Sequence, residues 1–243
     1  FLAGKLDYVN IPSSQKEAYK DDPRRYIIPY TSTFRINING FGTVEAQLEE
    51  FPESTWIPEP LLANQDFKTA MYFAIDRDYV TENIAYQALP QMYMFSDSYI
   101  LDTYLGIPYR RTVEGLSVGQ DLSPTTFAYN LDVAKAYWDM AIEQMINDDV
   151  YQAGTSDQWT TIDIHFYVMN STNEQLALGQ YIKDTFESIF RSEDHYIKVI
   201  INVDSKDFPA IYYSHLMVGE FDLCVGSISG DPLNPADFLK VYT

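Results

Sequence analysis

Between residues 161 and 227 the apolar residues change period four times, and few folds accept that pattern. Over 161–169, Ile162, Ile164, Phe166 and Val168 alternate, as one buried side of a strand does. Over 173–191, Leu178, Ile182, Phe186 and Ile189 recur at helical spacing. Alternation returns at 196–203 with Ile197, Val199, Ile201 and Val203. Residues 206–217 read as a helix with Phe208, Ile211, Tyr212 and His215 or Leu216 inward, and 221–227 as a further strand. Strands interleaved with helices of similar length predict an α/β layered domain with right-handed crossovers. Ligands of such sheets gather at the carboxyl ends of the strands, near a topological switch. The last strand runs out into the small, polar, turn-rich segment 226–235. Ser227, Ile228 and Ser229 in that segment are therefore a candidate binding edge.

The earlier part of the chain is less regular. Residues 30–39 are β-rich and stop at Gly40, which predicts a strand. Residues 40–60 hold Glu45, Glu49, Glu50, Glu53 and three prolines, and read as a loop with a solvated acidic face. Phe67, Ala70, Met71, Ala74 and Ile75 form one apolar helical face, with Asn64 placed to cap it. A second helix is expected over 132–147, carrying Ala134, Tyr137, Trp138, Ala141 and Met145 on one face. Between them, 88–128 is broken by Pro90, Gly106, Pro108, Gly115, Gly119 and Pro124. A loop of that length in a compact domain is functional or wraps over another surface.

Charge and motif content exclude several functions. Thirty-five acidic against 16 basic residues give a net charge of −19, which repels phosphate backbones and anionic membranes, so no nucleic-acid partner is expected. The one cysteine, Cys224, lies in the apolar run FDLCVG and reads as a buried small hydrophobe; no internal disulfide or cysteine zinc site is possible. His165, His195 and His215 show no metal-ligand spacing, and no metal or cofactor is expected. A triad could be drawn on paper from Ser227 or Ser229, His215 and Asp231, but neither serine stands at the centre of a GxSxG elbow. The run 226–230 also lacks the lysine and spacing of a phosphate loop. Asp231 can hold a cation or an amine, or can simply serve an Asp-Pro turn. Asn170-Ser171-Thr172 matches a glycosylation sequon, a frequent chance match. No run approaches the ~18 apolar residues of a membrane span. The chain opens on Phe1-Leu2-Ala3-Gly4 and closes on Phe238 to Thr243 without a signal peptide or a natural stop, which suggests a piece of a longer protein.

Several segments, in order along the whole chain, resemble the extracellular solute-binding proteins of the dipeptide/oligopeptide ABC-importer family. Residues 1–8 resemble its "G-x-hydrophobic-D" segment, and 29–39 the strand that passes the ligand cleft. Residues 59–77, ending Ala74-Ile75-Asp76-Arg77, resemble "P-L-x-D-x-x-V-R-x-A-hydrophobic-x-x-A-I-D-R", the most specific match. Residues 129–138 resemble the "Y-x-x-x-x-A-K-x-L-L" helix, and 221–235 resemble "Y-D-hydrophobic … G-W-x-x-D-Y-x-D-P". Three departures stand out. Ile228 replaces the usual Trp three residues before the acidic position, Phe67-Lys68 replaces Val-Arg, and 45–53 looks like an acidic insertion.

The resemblance implies a periplasmic-binding-protein type II-like lobe, a mixed β-sheet flanked by helices. Residues 1–28 would lead in from a missing lobe, and 29–243 would form the carboxy-terminal ligand-binding lobe with long loops at 40–60 and 88–128. It implies a non-enzymatic, extracytoplasmic partner of ABC permease subunits, with the anchor and signal outside this chain. Its ligand would be a peptide or other small solute held between two lobes. Asp231 occupies the position that holds a peptide's α-amino group, and Tyr30, Thr33 and Phe34 match the cleft-passing strand, where an extended peptide can add as a strand. A non-peptide solute such as an oligosaccharide is the alternative, kept open by Ile228 and the 20 tyrosines. A hydrolase, or a lobe kept only for protein interaction, stands further off.

Overall fold

The computed structural model describes residues 1–85, 88–92, 94–117, 126–170, 172–234 and 236. In chain order the elements are β1 (Thr33–Ile38), α1 (Val44–Glu50), α2 (Gln65–Ala74), α3 (Arg77–Asn83), β2 (Ile100–Asp102), β3 (Ile107–Pro108) and α4 (Val113–Ser117). Then follow α5 (Leu131–Asn147), β4 (Thr160–Met169), α6 (Asn173–Ile189), β5 (Arg191–Ser192), β6 (Ile197–Lys206), α7 (Phe208–Ser214) and β7 (Leu223–Ile228). Five strands form one sheet in the order β1-β7-β4-β6-β5. β4 runs parallel to β6 along its whole length and parallel to β7 at Phe166↔Leu223 and Tyr167↔Cys224. The edge strands β1 and β5 are antiparallel to their neighbours. The sheet is thus mixed. β4 sits at the switch: the α6 connection places β6 on one side of it, and the α7 connection returns β7 to the other.

The two faces of the sheet are covered unequally. Ile162, Ile164, Phe166 and Val168 of β4 join Ile197, Val199 and Ile201 of β6 and Leu223 and Val225 of β7 in one buried cluster with α2, α5 and α6. Phe67, Trp138, Phe186 and Phe190 pack there with ring centroids 5.0 to 5.8 Å apart. Helix starts are capped by side chains that accept an orphan backbone N–H: Asn64 for α2, Asn130 for α5 and Thr172 for α6. The expected periodicities are all present on this face.

Among the described residues the opposite face carries a smaller cluster of Tyr167, Ile211, Phe221 and Cys224, with Met169 and Leu216 packed against it. Here one expectation fails. Of the residues read as inward on α7, Ile211 is buried, but Phe208 is 56% exposed and Tyr212 is exposed too. The helix has seven residues, of which Ile211 is the one it buries.

Residues 40–60 also differ from the loop expected of them. They contain α1, capped by the Thr43 hydroxyl, which accepts from the Ala46 N–H. Its buried residue is polar: Gln47 donates to Ser54 and to the Trp56 carbonyl, and accepts from Asn39. A helix without an apolar stripe leaves no periodic signal. Glu45, Glu49, Glu50 and Glu53 are exposed, as a solvated face requires. Within 88–128 the chain forms the β2–β3 hairpin and α4. Gly119, Pro124, Ser171 of the sequon, Pro235 and the terminal segment 238–243 lie outside the described residues.

The Ala74-Ile75-Asp76-Arg77 motif has a structural cause. Arg77 is largely buried, and its Nη1 donates to the carbonyls of Tyr72, Ile75 and Phe127 at 3.0 to 3.1 Å. Phe127 and Ala128 have φ values of 47° and 68°, unfavourable for residues with a Cβ. The guanidinium ties that turn to the end of α2, while Asp76 caps α3 by accepting from the Tyr79 N–H.

Candidate functional site

The expected site residues come together on a two-stranded ribbon. Past Cys224, β7 leaves β4 and pairs with β1 alone, in the register Arg35↔Gly226, Phe34↔Ser227 and Thr33↔Ile228. Because strand side chains alternate, Phe34 and Ser227 share one face while Thr33 and Ile228 share the other. The first face is open: Phe34 is 62% exposed and Ser227 is exposed. Beyond the strand the alternation persists, with Ser229 and Asp231 exposed. Tyr30, just ahead of β1, is 77% exposed. Thr33 is half-buried, and its hydroxyl donates to the Met94 carbonyl at 2.8 Å. Ile228 is 6% exposed and packs in a small cluster with Tyr99 and Phe95 rather than lining the open face.

Asp231 serves the turn that its sequence context allowed. Its Oδ1 accepts from the Leu233 N–H at 2.9 Å and its carbonyl from the Asn234 N–H at 3.0 Å, a turn built by the aspartate itself. The carboxylate stays on the surface, and among the described residues no cation pairs with it.

What holds the ribbon is a set of residues that sequence patterning passed over. The segment 94–100 lies against both of its strands. Tyr99, fully buried, donates its hydroxyl to the Thr31 carbonyl at 2.7 Å and accepts from the Gly230 N–H at 2.8 Å. The Ile100 N–H donates to the Pro232 carbonyl at 2.8 Å. Ser96 and Ser98 donate to the carbonyls of Tyr30 and Pro29 at 2.7 and 2.6 Å. The only advance sign was the length of the 88–128 loop, which implied that it wraps over something.

The remaining titratable groups do other work. His215 is stacked on Tyr167 with centroids 4.2 Å apart. Its Nδ1 donates to the Glu220 carbonyl and its Nε2 accepts from Lys206, so neither nitrogen serves Ser227, Ser229 or Asp231 and the paper triad is not assembled. Asp222 is buried and accepts from the Trp56 Nε1–H and the His165 N–H; burial pushes its carboxyl above the usual range. Burial likewise pushes the Cys224 thiol up to about 12, which makes it a poor nucleophile. Among the described residues no group of three or more His, Cys, Asp or Glu could hold a metal ion. Nor, among them, is any helix long and apolar enough to cross a membrane.

Comparison with known proteins adds a family and a fold. The model of the bacterial extracellular solute-binding proteins, family 5 middle, matches residues 1–243. Among solved structures, the substrate-binding domain of an oligopeptide ABC transporter from Bacillus anthracis aligns with a TM-score of 0.62 at 18% identity, covering 94% of this chain and 36% of that one. A periplasmic oligopeptide-binding protein (OppAIV) from Borrelia burgdorferi gives 0.56 at 17% identity, covering 96% and 36%. The binding protein AgaA from A. tumefaciens R10, solved with agropinic acid, gives 0.52 at 14% identity, covering 94% and 35%. At these identities the likeness is one of fold. The chain spans about a third of the length of these structures. No curated protein matches it by sequence.

Proposed function

This chain belongs to the bacterial extracellular solute-binding proteins of family 5, and from that premise we propose that it is the carboxy-terminal lobe of the peptide-capturing component of an ABC importer. The family consists of substrate-binding proteins, not enzymes, and its fold is that of a binding-protein lobe. The observation that carries the peptide reading is the position of Asp231: an exposed carboxylate with no cation partner among the described residues, at the open end of a ribbon whose other exposed side chains include Phe34, Ser227 and Ser229. A carboxylate facing a desolvated ammonium makes a strong charge-assisted bond and asks nothing of the ligand's side chains. β1 is an edge strand, so its outer backbone groups are available to an extended chain.

In this reading 1–28 leads in from the other lobe and 29–243 forms this one. Tyr26, Ile27 and Ile28, all exposed just ahead of β1, are covered when the lobes close about the ribbon by a hinge motion. The protein acts outside the cytoplasm and hands its ligand to membrane permease subunits. A second reading, a non-peptide solute, is favoured by one observation: Ile228 is buried where the family carries a Trp, so no aromatic wall stands at that point.

The test is thermal-shift screening of the full-length protein with peptide and oligosaccharide pools, repeated with Asp231→Asn. A ligand that binds only the folded state raises its apparent stability with the logarithm of concentration over Kd. Stabilisation by peptides, lost on N-acetylation and weakened in Asp231→Asn, is the expected result. Stabilisation by sugars alone would replace this reading with the second.

A further inference from the structure

We infer that Tyr99 is the positioning residue of the ligand edge: its phenol fixes the segment that carries Asp231 relative to the strand that carries Phe34 and the residues, Tyr30 among them, just ahead of it. The inference rests on the proposed role of Asp231. Tyr99 lies 68 residues from Thr31 and 131 from Gly230 along the chain, yet one oxygen bonds both. It donates its single proton to the Thr31 carbonyl and spends a lone pair on the Gly230 N–H. The next residue, Ile100, holds the Pro232 carbonyl. Asp231 therefore sits between two backbone groups gripped by adjacent residues of one segment. Tyr30 is held from the same segment through Ser96.

Burial makes this clasp stiff. Tyr99 is fully buried, Ile228 is nearly so, and the Phe95 ring meets Tyr99 edge-on at 5.3 Å. A phenol with no access to water cannot exchange its partners for solvent, so losing it leaves a carbonyl and an N–H to find others. The β1–β7 ladder ends at Thr33↔Ile228. Beyond it, among the described residues, Tyr99 is the side chain seen bridging the two strands.

Tyr99→Phe in the full-length protein keeps the ring and removes the bridging oxygen. Hydrogen exchange is expected to quicken about ten-fold or more at 229–233 while the amides of β4 and β6 keep their rates. Unchanged exchange at 229–233 would overturn the inference whatever the ligand proves to be. Calorimetric titration with tri-alanine and N-acetyl-tri-alanine then reads function. The preference for the free amine is expected to shrink about ten-fold, as the loss of a buried hydrogen bond implies. Equal losses for both peptides, with faster exchange in β4, would mean a merely structural residue. If the wild-type protein binds neither peptide, the peptide reading fails and the exchange result alone judges the clasp. If Tyr99→Phe does not fold, the wild-type Gly230 amide decides: it must exchange slowly, and a freely exchanging Gly230 sinks the proposal.

Discussion

The sheet core and the β1–β7 ribbon share strand β7 but are held together differently. At Leu223 and Val225 the strand is buried under α2, α5 and α6, among many apolar contacts that are individually weak and indifferent to direction. From Ser227 to Asp231 every second residue is exposed, and conformation depends on a few directional bonds from Tyr99, Ile100 and the β1 ladder. The comparison teaches where sensitivity lies. Deleting volume should hurt the core most, whereas deleting one atom should hurt the ribbon in geometry and binding more than in stability.

The largest effect that would test this is Phe186→Ala. Phe186 is fully buried, with the Phe190 ring centroid 5.0 Å away. Its truncation should cost about 3–5 kcal/mol in chemical denaturation, and a cost near that of a surface substitution would erase the contrast. Arg77→Met comes next, because it removes charged hydrogen bonds to three carbonyls at the core's margin. A loss of about 2–3 kcal/mol is expected, with faster exchange near Phe127 and Ala128. An unaffected turn there would show that the left-handed pair is held by other means.

Asp231→Asn sharpens the comparison from the ribbon side. Its amide oxygen can still accept from the Leu233 N–H, so stability should move by less than about 0.5 kcal/mol while peptide affinity falls. A large stability loss would make Asp231 a folding residue instead.

The smallest effect is a pH slope. Glu59 is held by hydrogen bonds from the Tyr151 hydroxyl and the Leu61 N–H, both to Oε1, and burial raises its pKa above the ordinary 4.5. A carboxyl with a raised folded pKa binds its proton more tightly folded than unfolded. Its contribution therefore declines as pH rises from 4.5 through the raised value. Glu59→Gln keeps both accepted bonds and lacks the charge. The variant should thus gain on the wild type as pH rises through that window in paired denaturation curves. A gap that stays constant with pH would show that Glu59 titrates normally.

Much of the core was legible from residue order. The period changes from 161 to 227 located β4, α6, β6 and β7, and Asn64 marked the start of α2. The signal weakened where burial was polar or partial. α1 buries Gln47 and so has no apolar stripe to mark its inward side, while α7 carries apolar residues at helical spacing of which the helix buries Ile211. For the candidate site, the sequence proposed Tyr30, Thr33, Phe34, Ser227, Ile228, Ser229 and Asp231, but not how they would be sorted between open and buried faces. The register with β1 puts Phe34 and Ser227 on the open face and turns Ile228 toward Tyr99.

Local pattern, then, determined the elements of the main core, the Asn64 cap of α2 and the faces buried in that core, because hydrophobic burial and capping depend on residues within a few positions of one another. Tertiary structure alone decided that Tyr99 joins Thr31 to Gly230, that Arg77 holds Phe127, and that Asp231 stands between two gripped neighbours. Each of these bonds reaches a distant backbone group. Every residue but proline carries the same carbonyl and N–H, so nothing in the partner's side chain announces the pairing.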